Sequence, residues 1–201
     1  MTQVGSEGRR LAELSSRILS CTRCPLHLSR LHAVPGEGSP NALLVLVGEA
    51  PGYNEDREGR PFVGQAGKIL DELLALAGLE REQVYITNLV KCRPPRNRPP
   101  RKGEIETCSS YLAHALRILG PRVLVPLGRY SLSFCLGMGG LDSRPISEVH
   151  GRRFETVMDW GGVELFPMYH PAVALYTNGM KAVLEDDMGS LRLLLVERGY
   201  V

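Results

Sequence analysis

The sequence lacks the long apolar stretches that membrane proteins need. No run approaches the ~20 apolar residues that cross a bilayer, and the first ten residues, MTQVGSEGRR, lack the hydrophobic core of a signal peptide. We therefore expect a soluble, cytoplasmic protein that does not bind membranes. Internal repeats and low-complexity tracts are also missing, and a length of 201 residues suits one domain spanning residues 1–201.

A large excess of one charge sign is missing too. The 24 basic and 22 acidic side chains leave a net charge of +2, so the molecule as a whole is not a polycation. The positive charge is distributed unevenly, however. The segment KCRPPRNRPPRK, residues 91–102, holds six basic residues and no acid.

Four short apolar runs, typical of buried strands, divide the chain. They cover residues 42–48, 84–90, 122–128 and 163–168. Helical patterns lie between or around them, and Gly78 could terminate the helix that includes Ile69 to Ala77. Because strands that are apolar throughout alternate with helices, the sequence predicts a three-layer α/β/α fold with a central, mainly parallel, four-stranded sheet.

The ends of three predicted strands carry polar side chains. Glu49 follows the first run, Asn88 lies near the end of the second, and His170 follows the last. Taken singly, each has an ordinary structural interpretation as a turn or helix-entry residue. If the strands are parallel, all three lie at the carboxyl edge of the sheet, where open α/β folds bind their ligands. Their coincidence favours a functional site.

The five cysteines indicate metal or redox chemistry, because intracellular proteins rarely use disulfides. Cys21 and Cys24 form a C-x-x-C pair, with Cys92 and Cys108 far downstream. Four thiolates can hold a structural zinc or an iron–sulfur cluster, and spacing alone does not choose between them. A redox pair fits less well, because the pair precedes every predicted strand. Cys135 is interpreted as a small core residue.

Two other catalytic motifs are excluded. A zinc deaminase needs H-x-E followed by P-C-x-x-C, whereas here Pro25 follows the C-x-x-C pair and no H-x-E occurs. The segment GQAGK, residues 64–68, fails as a phosphate-binding loop, because Phe62 stands where glycine is needed and Ile69 replaces the magnesium-binding Ser or Thr.

Three longer motifs resemble a known family. The segments GEAPGYNEDREGRPFVGQAG, YITNLVKCRPPRNRPP and HPA are similar to motifs of the family 4 uracil-DNA glycosylases, the iron–sulfur enzymes of bacteria and archaea. The resemblance extends from about Cys21 to Ala172. It implies excision of uracil from DNA by hydrolysis of the N-glycosidic bond, by a monomer acting on single- or double-stranded DNA. It also implies a [4Fe-4S] cluster held by Cys21, Cys24, Cys92 and Cys108.

The resemblance implies roles for the residues that bind the base. A uracil flipped out of the DNA would stack on Phe62, and the amide of Asn88 would recognise its Watson–Crick edge. His170 would donate a hydrogen bond to uracil O2 as negative charge develops there. Glu49 would activate water and stabilise the cationic sugar. Pocket wall or backbone contacts are expected from Ala50 and Pro51.

Other roles are implied for the surrounding turn and for DNA contacts. Glu55 would occupy the space of the thymine methyl group, while Asp56 would brace the turn; the alternative for both is a solvated acidic turn. Phosphates would be contacted by Lys91, Arg93, Arg96, Arg98, Arg101 and Lys102. Leu175 is the predicted wedge that fills the gap left by the flipped base. The alternative for the basic segment is a solvated surface loop.

Two competing functions agree less well with these residues than the enzyme does. A DNA-binding or polymerase-associated module could keep the fold and the cluster without activity, but mere DNA binding does not need Glu49, Phe62, Asn88 and His170 together. A zinc-stabilised hydrolase of free nucleotides would not need an extended basic segment.

Overall fold

A computed structural model describes residues 5–201, in which a six-stranded mixed sheet carries helices on both faces. The strands are β1 (Glu37–Gly38), β2 (Leu44–Gly48), β3 (Tyr85–Asn88), β4 (Val123–Pro126), β5 (Phe154–Met158) and β6 (Gly161–Leu165). They lie in the order β1-β3-β2-β4-β6-β5. The central strands β3, β2, β4 and β6 are parallel to one another. The α/β class and the mainly parallel centre of the sheet are therefore confirmed.

The predicted number of strands was wrong, because two antiparallel edge strands were missed. Strand β1 has only two residues and pairs with β3, so it is too short to give a sequence pattern. Strand β5 pairs with β6 and alternates between partly buried and exposed residues, so it lacks the continuous apolar run of a central strand.

Residues 5–201 contain seven α-helices. They are α1 (Ser6–Leu19), α2 (Tyr53–Glu58), α3 (Gln65–Leu76), α4 (Lys102–Leu119), α5 (Arg129–Met138), α6 (Ile146–Val149) and α7 (Met180–Glu197). Gly78 terminates helix α3 as predicted: it follows the cap residue Ala77, and its positive φ of 73° lets the Leu79 N–H donate to the carbonyl of Leu74. None of the helices within residues 5–201 has the length and apolarity needed to cross a membrane.

The core has two halves, one on each face of the sheet. Successive side chains of a strand point to opposite faces, and β2 follows this rule. Val45 and Val47 pack with buried residues of α1, α4 and α5, whereas Leu44 and Leu46 pack with those of α3 and α7. All four side chains are almost fully buried. Strand β2 is apolar throughout because both of its faces are covered.

The sheet brings the predicted site residues to one edge. In the parallel register, Gly48 at the end of β2 lies opposite Asn88 at the end of β3. Beyond β4 and β6, a further parallel bridge joins Leu127 to Met168, and the Gly128 N–H donates to the Met168 carbonyl over 2.8 Å. This pairing ends two residues before His170, so the imidazole lies at the same edge as Glu49 and Asn88.

Candidate active site

One open cleft at the carboxyl edge of the sheet contains the predicted base-binding residues. Its volume is about 610 Å³, within the range of small-molecule sites. The four side chains with predicted chemical roles, Glu49, Phe62, Asn88 and His170, all line it. Ala50, Pro51, Glu55 and Leu175 line the same cleft.

Phe62 forms one wall of the cleft. Its ring is only 5% exposed and stacks on the imidazole of His170, with the ring centroids 5.4 Å apart and the planes at 24°. Its backbone has a φ of 52°, in the left-handed region that a bulky residue rarely adopts. Two glycines make room for it. A Cβ at Gly48 would lie 2.7 Å from the ring, and one at Gly67 would overlap the Phe62 carbonyl.

His170 is held as a neutral hydrogen-bond donor. The backbone N–H of Ala172 donates to its Nδ1 over 3.2 Å, so the proton of the neutral ring resides on Nε2. The surrounding protein lowers the pKa of His170 to about 4, an effect that the Glu55 carboxylate partly offsets. At neutral pH the imidazole can therefore donate from Nε2 without carrying a charge.

Asn88 offers an unpaired amide to the cleft. The residue is buried at the end of β3, and its side chain makes no hydrogen bond to any other group of residues 5–201. Its main chain is fixed, because its carbonyl accepts a hydrogen bond from Lys91 Nζ over 2.7 Å. The amide can therefore donate to one group of a ligand and accept from its neighbour.

Glu49 is a partly buried carboxylic acid directly after β2. Burial raises the pKa of Glu49, and the guanidinium of Arg129, at the start of α5, counteracts this in part. The main chain is anchored to the β3 side, because the Val90 N–H donates to the Glu49 carbonyl over 2.9 Å. A carboxylate with a raised pKa, facing a cleft, is suited to taking a proton from water.

The carboxylates of Glu55 and Asp56 accept hydrogen bonds from backbone N–H groups. Glu55 accepts hydrogen bonds from three N–H groups, those of Gly52 at 3.1 Å, Val63 at 3.0 Å and Gly64 at 2.8 Å. Asp56 is buried and accepts from the N–H of Leu31 over 2.9 Å. These contacts exclude the solvated-turn alternative for both residues, and Asp56 braces the turn as expected.

The basic segment 91–102 divides into buried and exposed residues. Lys91 is 1% exposed, and its Nζ donates to Thr87 Oγ1 at 2.5 Å and to the Asn88 carbonyl. The prediction that Lys91 contacts phosphate is therefore wrong, because the first residue after Val90 still points into the core. Arg98 is committed in part to a two-bond pair with Glu104, at 2.6 and 2.9 Å.

The remaining basic residues are accessible. Arg96, Arg101 and Lys102 are exposed. Arg96 and Arg101 line a second cleft of about 400 Å³, and Arg98 lies in the wall that this cleft shares with the first. Arg93 packs on the ring of Tyr53, with its guanidinium carbon 5.0 Å from the centroid.

Sequence reasoning missed two tyrosines that line the cleft. Tyr53 lies at its mouth, packed between Arg57 and Arg93. Tyr176 directly follows the 3-10 turn Pro171–Leu175 and is 85% exposed, against 36% for Leu175. An aromatic residue directly after the predicted wedge was a usable sequence signal for Tyr176. The position of Tyr53 depends on two arginines from different segments, so its sequence neighbourhood gave none.

The four cysteines of the predicted metal site line one small cavity between α1, the segment 21–30, residue 92 and α4. Cys92 Sγ accepts a hydrogen bond from Arg30 Nη1 over 2.9 Å, and Cys108 Sγ accepts one from the Lys91 N–H over 3.2 Å. Burial raises the pKa of the Cys108 thiol to about 11. Cys135 lies apart in the core, as predicted.

The environment of these thiols is compatible with a bound metal centre. N–H donors directed at sulfur suit thiolates that carry negative charge, and buried thiols lose their protons only when a cation binds them. No group of three or more His, Cys, Asp or Glu side chains among residues 5–201 is arranged around one metal ion. Four cysteine thiolates are a known ligand set both for a single zinc ion and for an iron–sulfur cluster.

The fold and the cleft correspond to one class of protein. The model of the family described as "Uracil DNA glycosylase superfamily" matches residues 35–187. The chain belongs to this superfamily.

Several individual relatives of this chain are Type-4 uracil-DNA glycosylases. The chain is 44% identical to the Type-4 uracil-DNA glycosylase of Sulfurisphaera tokodaii, over 92% of this chain and 85% of the relative. It is 46% identical to the protein of the same name from Archaeoglobus fulgidus, over 88% and 89% of the two chains. For the Type-4 enzyme of Thermotoga maritima the identity is 40%, over 92% and 95%. The resemblance inferred from the three sequence motifs is thereby confirmed.

Proposed function

We propose that this protein is a uracil-DNA glycosylase that flips uracil out of DNA and hydrolyses its N-glycosidic bond, leaving an abasic site. The observation that carries the proposal is the convergence of Glu49, Phe62, Asn88 and His170 on one cleft large enough for a nucleobase. A module that only binds DNA needs neither an unpaired buried amide nor a carboxylate with a raised pKa. The enzyme is therefore favoured over an inactive module.

Recognition of the base would use Phe62 and Asn88. A flipped pyrimidine stacks on the Phe62 ring, which is fixed against His170. The Asn88 amide can donate to uracil O4 and accept from N3–H. Cytosine presents the reverse pattern, so it would leave buried polar groups without partners, which gives strong discrimination.

Glu55 would contribute to the rejection of thymine. Its carboxylate lies in the cleft wall and is fixed by three backbone N–H groups, so it cannot withdraw without breaking them. A rigid wall next to uracil C5 would exclude a methyl group by steric overlap. Ala50 and Pro51 complete the wall on the β2 side.

Hydrolysis would use His170 and Glu49 on opposite parts of the substrate. As the N1–C1′ bond breaks, its electron pair leaves with uracil, and the neutral Nε2–H of His170 donates to the O2 atom that gains negative charge. The Glu49 carboxylate stabilises the positive sugar and accepts a proton from the water whose oxygen bonds to C1′.

Cys21, Cys24, Cys92 and Cys108 would hold a [4Fe-4S] cluster. When bound, the cluster supplies iron–thiolate bonds that tie the segment after α1 to residue 92 and to α4. These bonds would fix both ends of the segment that carries the exposed arginines. Brown protein with about four iron atoms per chain is the expected result; colourless protein with one zinc would contradict the assignment.

DNA would bind along the exposed basic residues next to the cleft. Arg93, Arg96, Arg98, Arg101 and Lys102 remain candidates for phosphate contacts, and three of them, Arg96, Arg101 and Lys102, are exposed. Leu175 and its neighbour Tyr176 are candidates for the wedge. We further propose that the protein acts as a cytoplasmic monomer on single- or double-stranded DNA.

The test is release of uracil from a labelled oligonucleotide, followed by alkaline cleavage of the abasic sites. Glu49→Gln and Asn88→Ala should depress uracil release far more than DNA binding. Arg96→Ala should chiefly weaken binding, which serves as the matched control. DNA binding without release from the wild-type protein would favour the inactive module, and release from free deoxyuridine nucleotides in preference to DNA would favour a nucleotide hydrolase.

A further inference from the structure

The backbone of Phe62 needs an external restraint. Within residues 5–201, only three residues other than glycine have a positive φ, and Phe62 is the one whose ring lines the cleft. A bulky residue persists in the left-handed region only where its surroundings enforce it, and such residues concentrate at functional sites. The question is which groups hold it there.

Arg81 provides such a restraint. It lies in the connection between α3 and β3, nineteen residues beyond Phe62. Its Nη1 donates to the Phe62 carbonyl at 3.2 Å, and its Nη2 donates to the Pro61 carbonyl at 2.8 Å. One planar guanidinium thus holds two successive carbonyls, the second belonging to the strained residue itself.

The guanidinium is itself fixed by two carboxylates. Glu37 Oε1 accepts from Arg81 Nε at 3.1 Å and from Nη2 at 2.5 Å, and Asp71 Oδ1 accepts from Nη1 at 2.8 Å. Together with the two carbonyls, these contacts use all five N–H donors that an arginine possesses. A lysine ammonium has three donors and no planar fork, so it cannot reproduce the arrangement.

The carboxylate that orients Arg81 comes from the edge strand β1. Glu37 also accepts from Arg60 Nε at 2.8 Å, and Arg60 directly precedes Pro61. The same carboxylate therefore holds the start of the Pro61–Phe62 turn and the arginine that clamps its end. This gives the two-residue strand a function, since its pairing with β3 places Glu37 between the two arginines.

We infer that Arg81 is a positioning residue, which locks Phe62 in the left-handed conformation that presents its ring to the flipped base. The inference rests on the proposed function. Arg81 does not line the cleft, so it acts only through the Pro61–Phe62 backbone. Loss of the clamp lets this turn relax, and the ring loses its fixed distance from His170.

The test compares Arg81→Lys with Arg117→Lys. Arg117 pairs with Asp159 at 2.6 Å on an exposed surface away from the cleft, so Arg117→Lys is a control for the chemical change itself, without a contact to the Pro61–Phe62 backbone. Arg81→Lys should raise the inhibition constant of free uracil and lower kcat/KM by about tenfold, because displacement of a contact group by less than 1 Å has effects of this order. The control should match the wild type in both.

A double-mutant cycle separates positioning from general stability. In a Phe62→Leu background, Arg81→Lys should cost little more, because the ring that it positions is already gone. Glu37→Gln, which leaves the Arg81 side chain in place, should act in the same direction as Arg81→Lys and keeps the test valid if Arg81→Lys folds poorly. Circular dichroism and iron content check folding.

Two outcomes would overturn the inference. Unchanged uracil inhibition in both Arg81→Lys and Glu37→Gln would show that the clamp does not position Phe62. Full additivity of Arg81→Lys with Phe62→Leu would show that Arg81 acts elsewhere. Either result would leave the proposed function standing, provided that the wild type releases uracil; absence of release from the wild type would refute the function instead.

Discussion

Replacement of Gly48 by alanine tests the architecture of the cleft. Gly48 ends β2 opposite Asn88, and a Cβ there would lie 2.7 Å from Phe62 Cζ and closer still to Asn88 Oδ1. Ordinary contacts begin at 3.4 Å, so the ring must retreat by about 0.7 Å and the amide by more. Because a misplacement of about 1 Å can cost about 10²-fold in rate, we expect uracil release to fall by about 10- to 100-fold.

The same substitution should lower the free energy of unfolding by only about 1–3 kcal/mol, the usual cost of overpacking a core by one methyl group. Single-turnover uracil release measures the first effect and denaturant unfolding the second. Gly162→Ala is the matched control, because Gly162 also lies in a strand, β6, but a Cβ there meets nothing within 4 Å. Full activity of Gly48→Ala in a folded protein would refute the assignment of this strand end to the base pocket.

Three further predictions concern charge. Burial raises the pKa of Glu49 above the usual 4.5, and the carboxylate is the active form, so single-turnover release of uracil should decline as the pH falls through this raised pKa. The same decline at low pH in the residual activity of Glu49→Gln would contradict this assignment. Glu104→Ala removes the partner of the Arg98 guanidinium and the acceptor for the Arg101 N–H at the start of α4. Denaturant titrations should therefore show a free energy of unfolding lower by about 1–3 kcal/mol, and an unchanged midpoint would refute the capping role. Arg101→Ala should reduce the slope of the logarithm of the DNA-binding constant against the logarithm of the salt concentration by about 1. Lys91→Met should leave this slope unaltered, because the Lys91 ammonium is buried. Equal slopes for the two variants would contradict this division of roles.

The central architecture and the reacting groups could be predicted because each depends on local pattern or residue type. Continuous apolar runs identified the four parallel strands, and polar residues at their ends identified Glu49, Asn88 and His170. Parallel pairing then required these three to share an edge. The four cysteines could be grouped by residue type, although the choice of metal needed the family resemblance.

The missed features depend on contacts between distant parts of the chain. Arg81 contacts Phe62, 19 positions earlier in the chain, and Glu37, 44 positions earlier. Nothing in the local sequence distinguishes Arg81 from a solvated loop residue. The sequence predicts a surface position for Lys91, because Lys91 begins a segment of six basic residues without an acid. Its burial follows from the path of the chain directly after β3, which is set by packing.

Because of the isolated bridge between Leu127 and Met168, the two cleft residues His170 and Tyr176 differ in how they are supported. The bridge extends the parallel pairing to within two residues of His170, and a functional group supported by regular β-structure is held more precisely than one on a loop. Six residues later, Tyr176 protrudes almost freely into solvent. We therefore expect DNA of different shapes to be accommodated by movement of Tyr176, while His170 keeps its position.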